Sequence, residues 1–249
     1  MSGPRILVLD LETAPNLAFV WKLWNISNIS LSQVQEFGYV MCFSAKWLGD
    51  DQTMFWSEFQ HSPQRMIEAA HELLDEADAV ITYNGDRFDL PTLNWEFLQL
   101  EMDPPSSYIS IDLLKAVRKN FRAHSNKLDH VVQQLGIGSK VKHAGFELWV
   151  RCLNGDPEAW QEMETYNRQD VKLTEELALR LKPWLTKWPN PVLFEDEAGD
   201  DLRCPACGGR DVERRGFYYT RVGRYQRFKC LGCGRWATSG RRDRSVDLR

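Results

Sequence analysis

The sequence predicts a mixed α/β domain, a sheet flanked by helices, followed by a small module of a different kind. The first part is predicted by three early stretches of strand character and, from residue 63 onward, by short apolar runs alternating with amphipathic segments. The second is predicted by cysteine placement. Four of the six cysteines crowd into two Cys-x2-Cys pairs, at 204/207 and 230/233, beyond an acidic stretch containing prolines. A chain of 249 residues suits one large domain with such an appendage.

The first strand, 5–10, rests on the apolar run Ile6-Leu7-Val8-Leu9. It ends in Asp10, and Glu12 follows two residues on. Alternation with period two points both carboxylates the same way. Like charges that close repel, and each resists ionising beside the other. Either the strand end is solvated and the pair costs little, or a divalent cation lies between them. Segment 13–38, with Trp21 and Trp24 among several Asn and Ser, reads as a long irregular loop that is functional or packs over the sheet. Strands at 39–47 and 53–57 come next.

Helix 63–77 places Met66, Ile67, Ala70, Leu73 and Leu74 at helical spacing. A short buried strand at 79–84 leads to helix 90–101, with Pro91 tolerated in its first turn. Strand 108–112 runs into helix 112–120, capped by Asp112. Helices at about 126–135 and 144–153 precede a long one, roughly 157–182, which Pro183 stops. The organisation expected is a domain over 1–186, a linker over 187–202, a metal-knit module over 203–240 and a basic tail over 241–249.

Charge divides the same way. From residue 203 onward there are 13 Lys and Arg against 4 Asp and Glu, a net of +9; the remaining 18 basic and 31 acidic residues leave the body at −13. The basic end is the part suited to a polyanion. Cys42 and Cys152, isolated among apolar residues, read as reduced core residues. No run is long and apolar enough to span a membrane, and no signal-type segment opens the chain, so a soluble, cytoplasmic protein is expected.

Two further segments carry carboxylates. "TYNGDRFDLP" puts Asp89 at a helix start just after the strand that ends at Asn84, and "YNRQD" puts Tyr166 and Asp170 four apart on one face of the long helix. Taken singly, Asp89 could be a helix cap and the Tyr/Asp pair a surface pair. Together, Asp10-x-Glu12, Asn84-x-x-x-Phe88-Asp89 and Tyr166-x-x-x-Asp170 resemble the three motifs of the DEDD exonuclease superfamily, in order, placement and spacing. That superfamily has a ribonuclease H-like fold and includes proofreading 3′→5′ exonuclease domains. The resemblance covers about residues 5–182. "SIDLLKAV" and "NKLDHVVQQLGIG" add to it, being similar to ribonuclease H-like exonucleases of bacteria and phages.

The resemblance implies that Asp10, Glu12, Asp89 and Asp170 hold two Mg²⁺ or Mn²⁺ ions, cations that prefer oxygen ligands. It implies a 3′→5′ exonuclease acting on nucleic acid, DNA favoured and RNA possible. A structure-selective endonuclease with the same site, or a non-catalytic nucleic-acid-binding protein, are the alternatives. Tyr166 four before the last Asp, with Thr165 where another branch has His, resembles the tyrosine branch. With an ordinary pKa of about 10, the tyrosine suits orienting a water better than deprotonating it. Thr13, Asn84 and Phe88 are carried over as cleft residues, although Phe88 reads equally well as core. Lys140 and Lys142, in the basic loop "KVKHAG", are phosphate-contact candidates beside the reading of a merely solvated loop. None of the five histidines falls on a motif; His143 lies in that loop and could touch a phosphate.

Cys204, Cys207, Cys230 and Cys233 supply four thiolates at zinc-knuckle spacing, and "RRGFYYTRVGRYQRFKC" between them alternates aromatic and basic residues as a hairpin does. The module resembles a zinc ribbon with one structural Zn²⁺. Four Cys leave no open position for catalysis. The ribbon would tether single-stranded or 3′-ended nucleic acid, or dock a replication or repair protein.

Overall fold

In the computed structural model, which describes residues 3–195 and 202–246, the N-terminal apolar run becomes β1 (Ile6–Thr13). It is followed by β2 (Leu17–Ala18), β3 (Val34–Glu36), β4 (Val40–Trp47), β5 (Met54–Ser57), α1 (Pro63–Asp75), β6 (Ala79–Thr82), α2 (Asp89–Gln99) and β7 (Ile109–Asp112). Four helices come next: α3 (Leu113–Asn120), α4 (Leu128–Gln134), α5 (Phe146–Leu153) and α6 (Pro157–Leu181). Three strands close the described chain: β8 (Val212–Tyr219), β9 (Gly223–Cys230) and β10 (Trp236–Ser245). Two units are resolved, Ile6–Leu177 and Met1–Arg5 with Ala178–Arg249.

The first unit is the expected mixed sheet flanked by helices, with strand order β5-β4-β1-β6-β7. The central strand β1 is antiparallel to β4 and parallel to β6. It runs past the expected end at Asp10 because β4 pairs with it all the way, from Leu7 opposite Trp47 to Thr13 opposite Val40, across a bulge after Glu12. Leu7, Leu9 and Leu11 on one face pack with Met66, Ile67 and Ala70 of α1 and Leu90, Leu93 and Phe97 of α2. A second cluster joins Met41, Cys42 and Phe55 to Leu148 and Cys152 of α5 and to Trp160, Met163 and Tyr166 of α6. Helices therefore cover both faces, and β1 presents Asp10 and Glu12 on the face away from α1 and α2. Cys42 and Cys152 are free and buried, as core residues are.

Segment 13–38 is less irregular than expected. β2 and β3 pair within it, and Gln33 ties them twice, its carbonyl accepting from Phe19 N–H and its amide donating to Phe19 O, both at 2.9 Å. The capping expectation at Asp112 holds, its side chain accepting from the Leu114 and Lys115 amides; at α1 the structure adds a cap of its own, Ser62 accepting from Arg65 N–H before Pro63.

In the second unit β8 and β9 form the expected hairpin and β10 adds a third strand, in the order β10-β9-β8. β10 runs through residues 241–245, where a tail was expected. Arg, Asp and Ser there carry little strand propensity of their own, and backbone pairing with β9 decides the conformation. Residues 196–201 of the expected linker and 247–249 of the expected tail lie outside the described residues.

The turn from β6 to α2 is tight because glycine occupies position 85. A Cβ there would lie 2.2 Å from Thr82 Oγ1 and 2.4 Å from Thr82 Cβ, and Thr82 is fully buried. Gly85→Ala should destabilise the fold by about 1–3 kcal/mol through overpacking. A urea midpoint equal to that of the unaltered chain would contradict this account of the turn.

Candidate active site

The site forms where β1 outlasts its parallel neighbour. Register between β1 and β6 stops at Val8 opposite Ile81. Past that point the Leu11 N–H is taken by a side chain, Asp89 Oδ1 at 3.2 Å. Asp89 is the first residue of α2 and nearly fully buried; the cap position belongs to Phe88, whose side chain makes no cap bond. Asp89 therefore ties α2 to β1. Asn84, in the bend before it, holds φ at +77°, a left-handed conformation that Asn tolerates better than most residues, and donates its N–H to Asp112 Oδ1 at 3.1 Å.

α6 closes the site from the other side. Tyr166, Asn167 and Asp170 turn the same way and are all buried. Asp10, Glu12 and Asp170 each bring a carboxylate oxygen within 4.8 Å of the others. Asp89 stands beside this triad but outside that spacing, close enough for its charge to act on Asp10. Asn167 holds Asp10 in place, its Nδ2 donating to Asp10 Oδ2 at 2.8 Å and to Asp10 O at 3.3 Å. A hydrogen bond to a charged group contributes about 1.5–3 kcal/mol.

Burial is the largest influence on every acid here. It raises Asp10 well above the usual carboxylate range, with Asp89, Glu12 and Asp170 adding repulsion and Lys140 opposing it. Glu12 is pushed up to about 8 by burial and then by Asp170. Asp89 is pushed up to about 7 by burial, against backbone hydrogen bonds such as that from Leu11. Asp170 is raised by burial against the pull of Lys140. Tyr166 is driven far above its ordinary value by burial, then by Asp170, Glu12 and Asp10, so its phenol stays protonated.

Lys140 answers part of this crowding. Its ammonium contacts Asp170 Oδ2, lies 3.1 Å from the Tyr166 hydroxyl and 5.1 Å from that ring's centre, and its backbone N–H donates to Asp129 Oδ1 at 2.9 Å. Acceptors remain in excess. Asp170 Oδ1 and Asn167 Oδ1 are buried without a protein partner. Crowded carboxylates with spare oxygens fit an oxygen-preferring divalent cation.

The other sequence-predicted residues fall in different places. Asn84 and Lys140 line a cleft of about 620 Å³ with Asp10, Tyr83, Arg118 and Lys127. Thr13 is half-buried at the end of β1, just past the bulge. Phe88 is 42% exposed, so its reading as core is wrong. Lys142 is exposed. His143 packs against Tyr166, ring centres 4.7 Å apart, beside Trp149. Sequence reasoning missed Asn167, Arg118 and Lys127. A signal for Asn167 existed: three residues before Asp170, it had to share that residue's helix face.

Among the described residues a second cluster also has metal-ligand spacing. Cys204 and Cys233 sulfurs are 3.6 Å apart, and those of Cys207 and Cys230 are 3.7 Å apart. A disulfide would need about 2.05 Å. Four sulfurs bonded at about 2.3 Å to one tetrahedral ion stand about 3.8 Å apart. Backbone amides of Ala206 and Cys233 donate to Cys204 Sγ and Cys230 Sγ at 3.4 and 3.5 Å, bonds that suit sulfurs carrying charge.

A model of the RNase_H superfamily matches residues 31–182, a range that holds Asp89, Tyr166 and Asp170 but begins after Asp10 and Glu12. Among solved structures, the family B DNA polymerase from the hyperthermophilic archaeon Pyrobaculum calidifontis is similar over 73% of this chain and 25% of its own, with a TM-score of 0.55 and 18% identity. The chain thus spans a quarter of that polymerase, and the likeness is one of fold. No curated protein sequence matches.

The raised carboxyls set a pH dependence. Without metal, the folded chain keeps protons that the unfolded chain releases, between about pH 4.5 and 8 for Glu12 and between 3.8 and 7 for Asp89. The folded state binds more protons, so stability falls as pH rises through that window. Manganese must displace those protons, so its effect grows with pH. Melting curves should show a larger Mn²⁺-induced rise in Tm at pH 8.5 than at pH 5.5; equal rises would contradict the assigned shifts. Asn167→Leu should weaken Mn²⁺ binding about 10–100-fold by calorimetry, since it removes what orients Asp10.

Proposed function

Because this chain belongs to the RNase_H superfamily, we propose that residues 1–186 form a metal-dependent 3′→5′ exonuclease of the tyrosine DEDD kind, acting on DNA or RNA strands and releasing mononucleotides. The observation that carries the reading is the convergence of Asp10, Glu12 and Asp170, with Asp89 beside them, into one buried pocket against a cleft. A protein that only binds nucleic acid has no use for this costly concentration of buried anions.

Asp10, Glu12, Asp89 and Asp170 would hold two Mg²⁺ or Mn²⁺ ions. When bound, such ions lower the pKa of water and offset charge at the leaving 3′ oxygen. The chain's own residues do the rest. Asn167 orients Asp10, and the Leu11 amide orients Asp89. Tyr166, kept protonated by its raised pKa, accepts from the Lys140 ammonium at 3.1 Å and has its one O–H to position the attacking water; that pKa excludes it as a base at neutral pH. Lys140 has two roles, counter-ion to Asp170 and cation toward a phosphate in the adjoining cleft. Arg118 and Lys127 add positive charge to the same cleft. Cys204, Cys207, Cys230 and Cys233 would hold one structural Zn²⁺ in a ribbon over 203–240.

The test is digestion of 5′-labelled DNA and RNA strands, with free or blocked 3′ ends, in Mg²⁺, Mn²⁺ or EDTA. A ladder shortening from the free 3′ end, lost with EDTA and with a blocked end, is expected; cutting of the blocked strand would identify an endonuclease. Asp10→Ala and Asp170→Ala should reduce hydrolysis to background, and Tyr166→Phe should slow it roughly 100-fold while Mn²⁺ still binds. Normal cutting by Asp170→Ala would remove α6 from the site.

A further inference from the structure

The three-stranded sheet of the second unit carries a face that the carboxylate site does not use. Along β9, odd-numbered and even-numbered residues point to opposite sides. The even side buries Phe228 and Cys230, with Val212 opposite Cys230, in the small core around the cysteines. The odd side is Tyr225, Arg227 and Lys229. Register extends it across the sheet. Tyr218 on β8 lies opposite Tyr225, while Trp236, Thr238 and Arg242 on β10 lie opposite Lys229, Arg227 and Tyr225.

Side-chain positions agree with that register. The Arg227 guanidinium lies 4.9 Å from the centre of the Trp236 ring, and the Lys229 ammonium lies 5.9 Å from it. The stem of Arg242 lies over Gly223: a Cβ there would stand 2.9 Å from Arg242 Cδ and 3.3 Å from the Tyr225 ring. Glycine at 223 thus leaves room for Arg242 to lie beside Tyr225. The acidic group on this register, Glu213 opposite Lys229, is ion-paired with Arg215 at 2.7 Å. Trp236 and Tyr218 stay 46% and 53% exposed. They cannot serve the core, which occupies the other side of the sheet.

We propose that this odd face of β8–β10 binds single-stranded nucleic acid. Arg227, Lys229 and Arg242 meet backbone phosphates, and Trp236, Tyr218 and Tyr225 stack against unpaired bases. Cations interleaved with aromatic rings suit a polyanion with exposed π-faces. A duplex offers the phosphates but hides the bases, so a single strand is the better ligand. This inference goes beyond the hydrolytic reading and holds whether or not the bound strand is cut.

The test uses the zinc-loaded full-length chain without added magnesium or manganese, and a 5′-fluorescein oligothymidylate titrated by anisotropy over a range of salt. Arg227→Gln with Arg242→Gln should weaken binding at least tenfold and lower the salt slope by about 0.7 for each phosphate contact removed. Trp236→Ala should cost about tenfold with an unchanged slope, and Trp236→Phe should restore most of it. Arg214→Gln with Arg244→Gln removes the same charge from the even side, opposite Phe228 and Arg224, and should stay within threefold of the unaltered chain. Equal losses from the two charge pairs, no loss from either, or equally tight binding of a duplex would overturn the proposal. Photocrosslinking of a bromodeoxyuridine strand to the unaltered chain reads the same face without substitutions. Adducts on Trp236 or Tyr225 are expected; their absence from β8–β10, as a protein-docking face would give, would overturn it. Hydrolysis by the carboxylate site is measured separately, so either reading can fail without the other.

Discussion

The first unit depends on keeping several carboxylates buried together at the end of one strand. Asp10, Glu12 and Asp170 sit with their oxygens within 4.8 Å of one another, and Asp89 adds its field. Desolvation and mutual repulsion both disfavour ionisation there. Much of the surrounding architecture serves to hold these groups despite that cost. β4 pairs with β1 through Thr13, which keeps the strand extended past the point where β6 leaves it. Asp89 fills the hydrogen-bonding gap that β6 leaves, and Asn167 pins Asp10 from α6. Apolar packing on the opposite face of β1, by Leu7, Leu9 and Leu11 against α1 and α2, supplies the rigidity.

Lys140 brings positive charge to this cluster of carboxyls. A partly exposed ammonium reaches Asp170 and the Tyr166 hydroxyl from a loop whose backbone is held by Asp129. One monovalent charge cannot neutralise four carboxyls, and the unpartnered oxygens of Asp170 and Asn167 mark what is left over. The same lysine lines the adjoining cleft together with Arg118 and Lys127.

The second unit is held by different means. Its buried cluster is small, centred on Cys204, Ala206 and Cys230. So little burial offsets chain entropy poorly, and the four sulfurs stand at a spacing through which a tetrahedral ion could supply stabilisation. With few side chains needed inside, the sheet is free to spend its aromatic residues on the outside. Exposed rings flanked by arginine are the consequence: Trp236 and Tyr218 lie on the Arg227 side of β9, and Tyr219 and Phe217 lie on the Arg224 side.

Local chemistry was legible in the sequence wherever it repeats at short range. Strand and helix periods, the Asp112 cap, the paired cysteines and the order of the three acidic motifs all depend on neighbours in the chain, and the structure places those elements within a few residues of expectation. What depends on contacts between distant segments was not legible. β1 could not be seen to run to Thr13, because β4 extends it. Phe88 read as core or cleft alike until its exposure was known. Asn167 looked like helix surface until its 2.8 Å bond across to Asp10 defined its role. The 241–245 end of the third strand of the second unit, Arg, Asp and Ser, carries little propensity of its own and is extended because β9 offers it an edge. Residue type and spacing determined which groups could do chemistry; only tertiary pairing decided which of them were buried together, because burial and desolvation belong to the assembled fold.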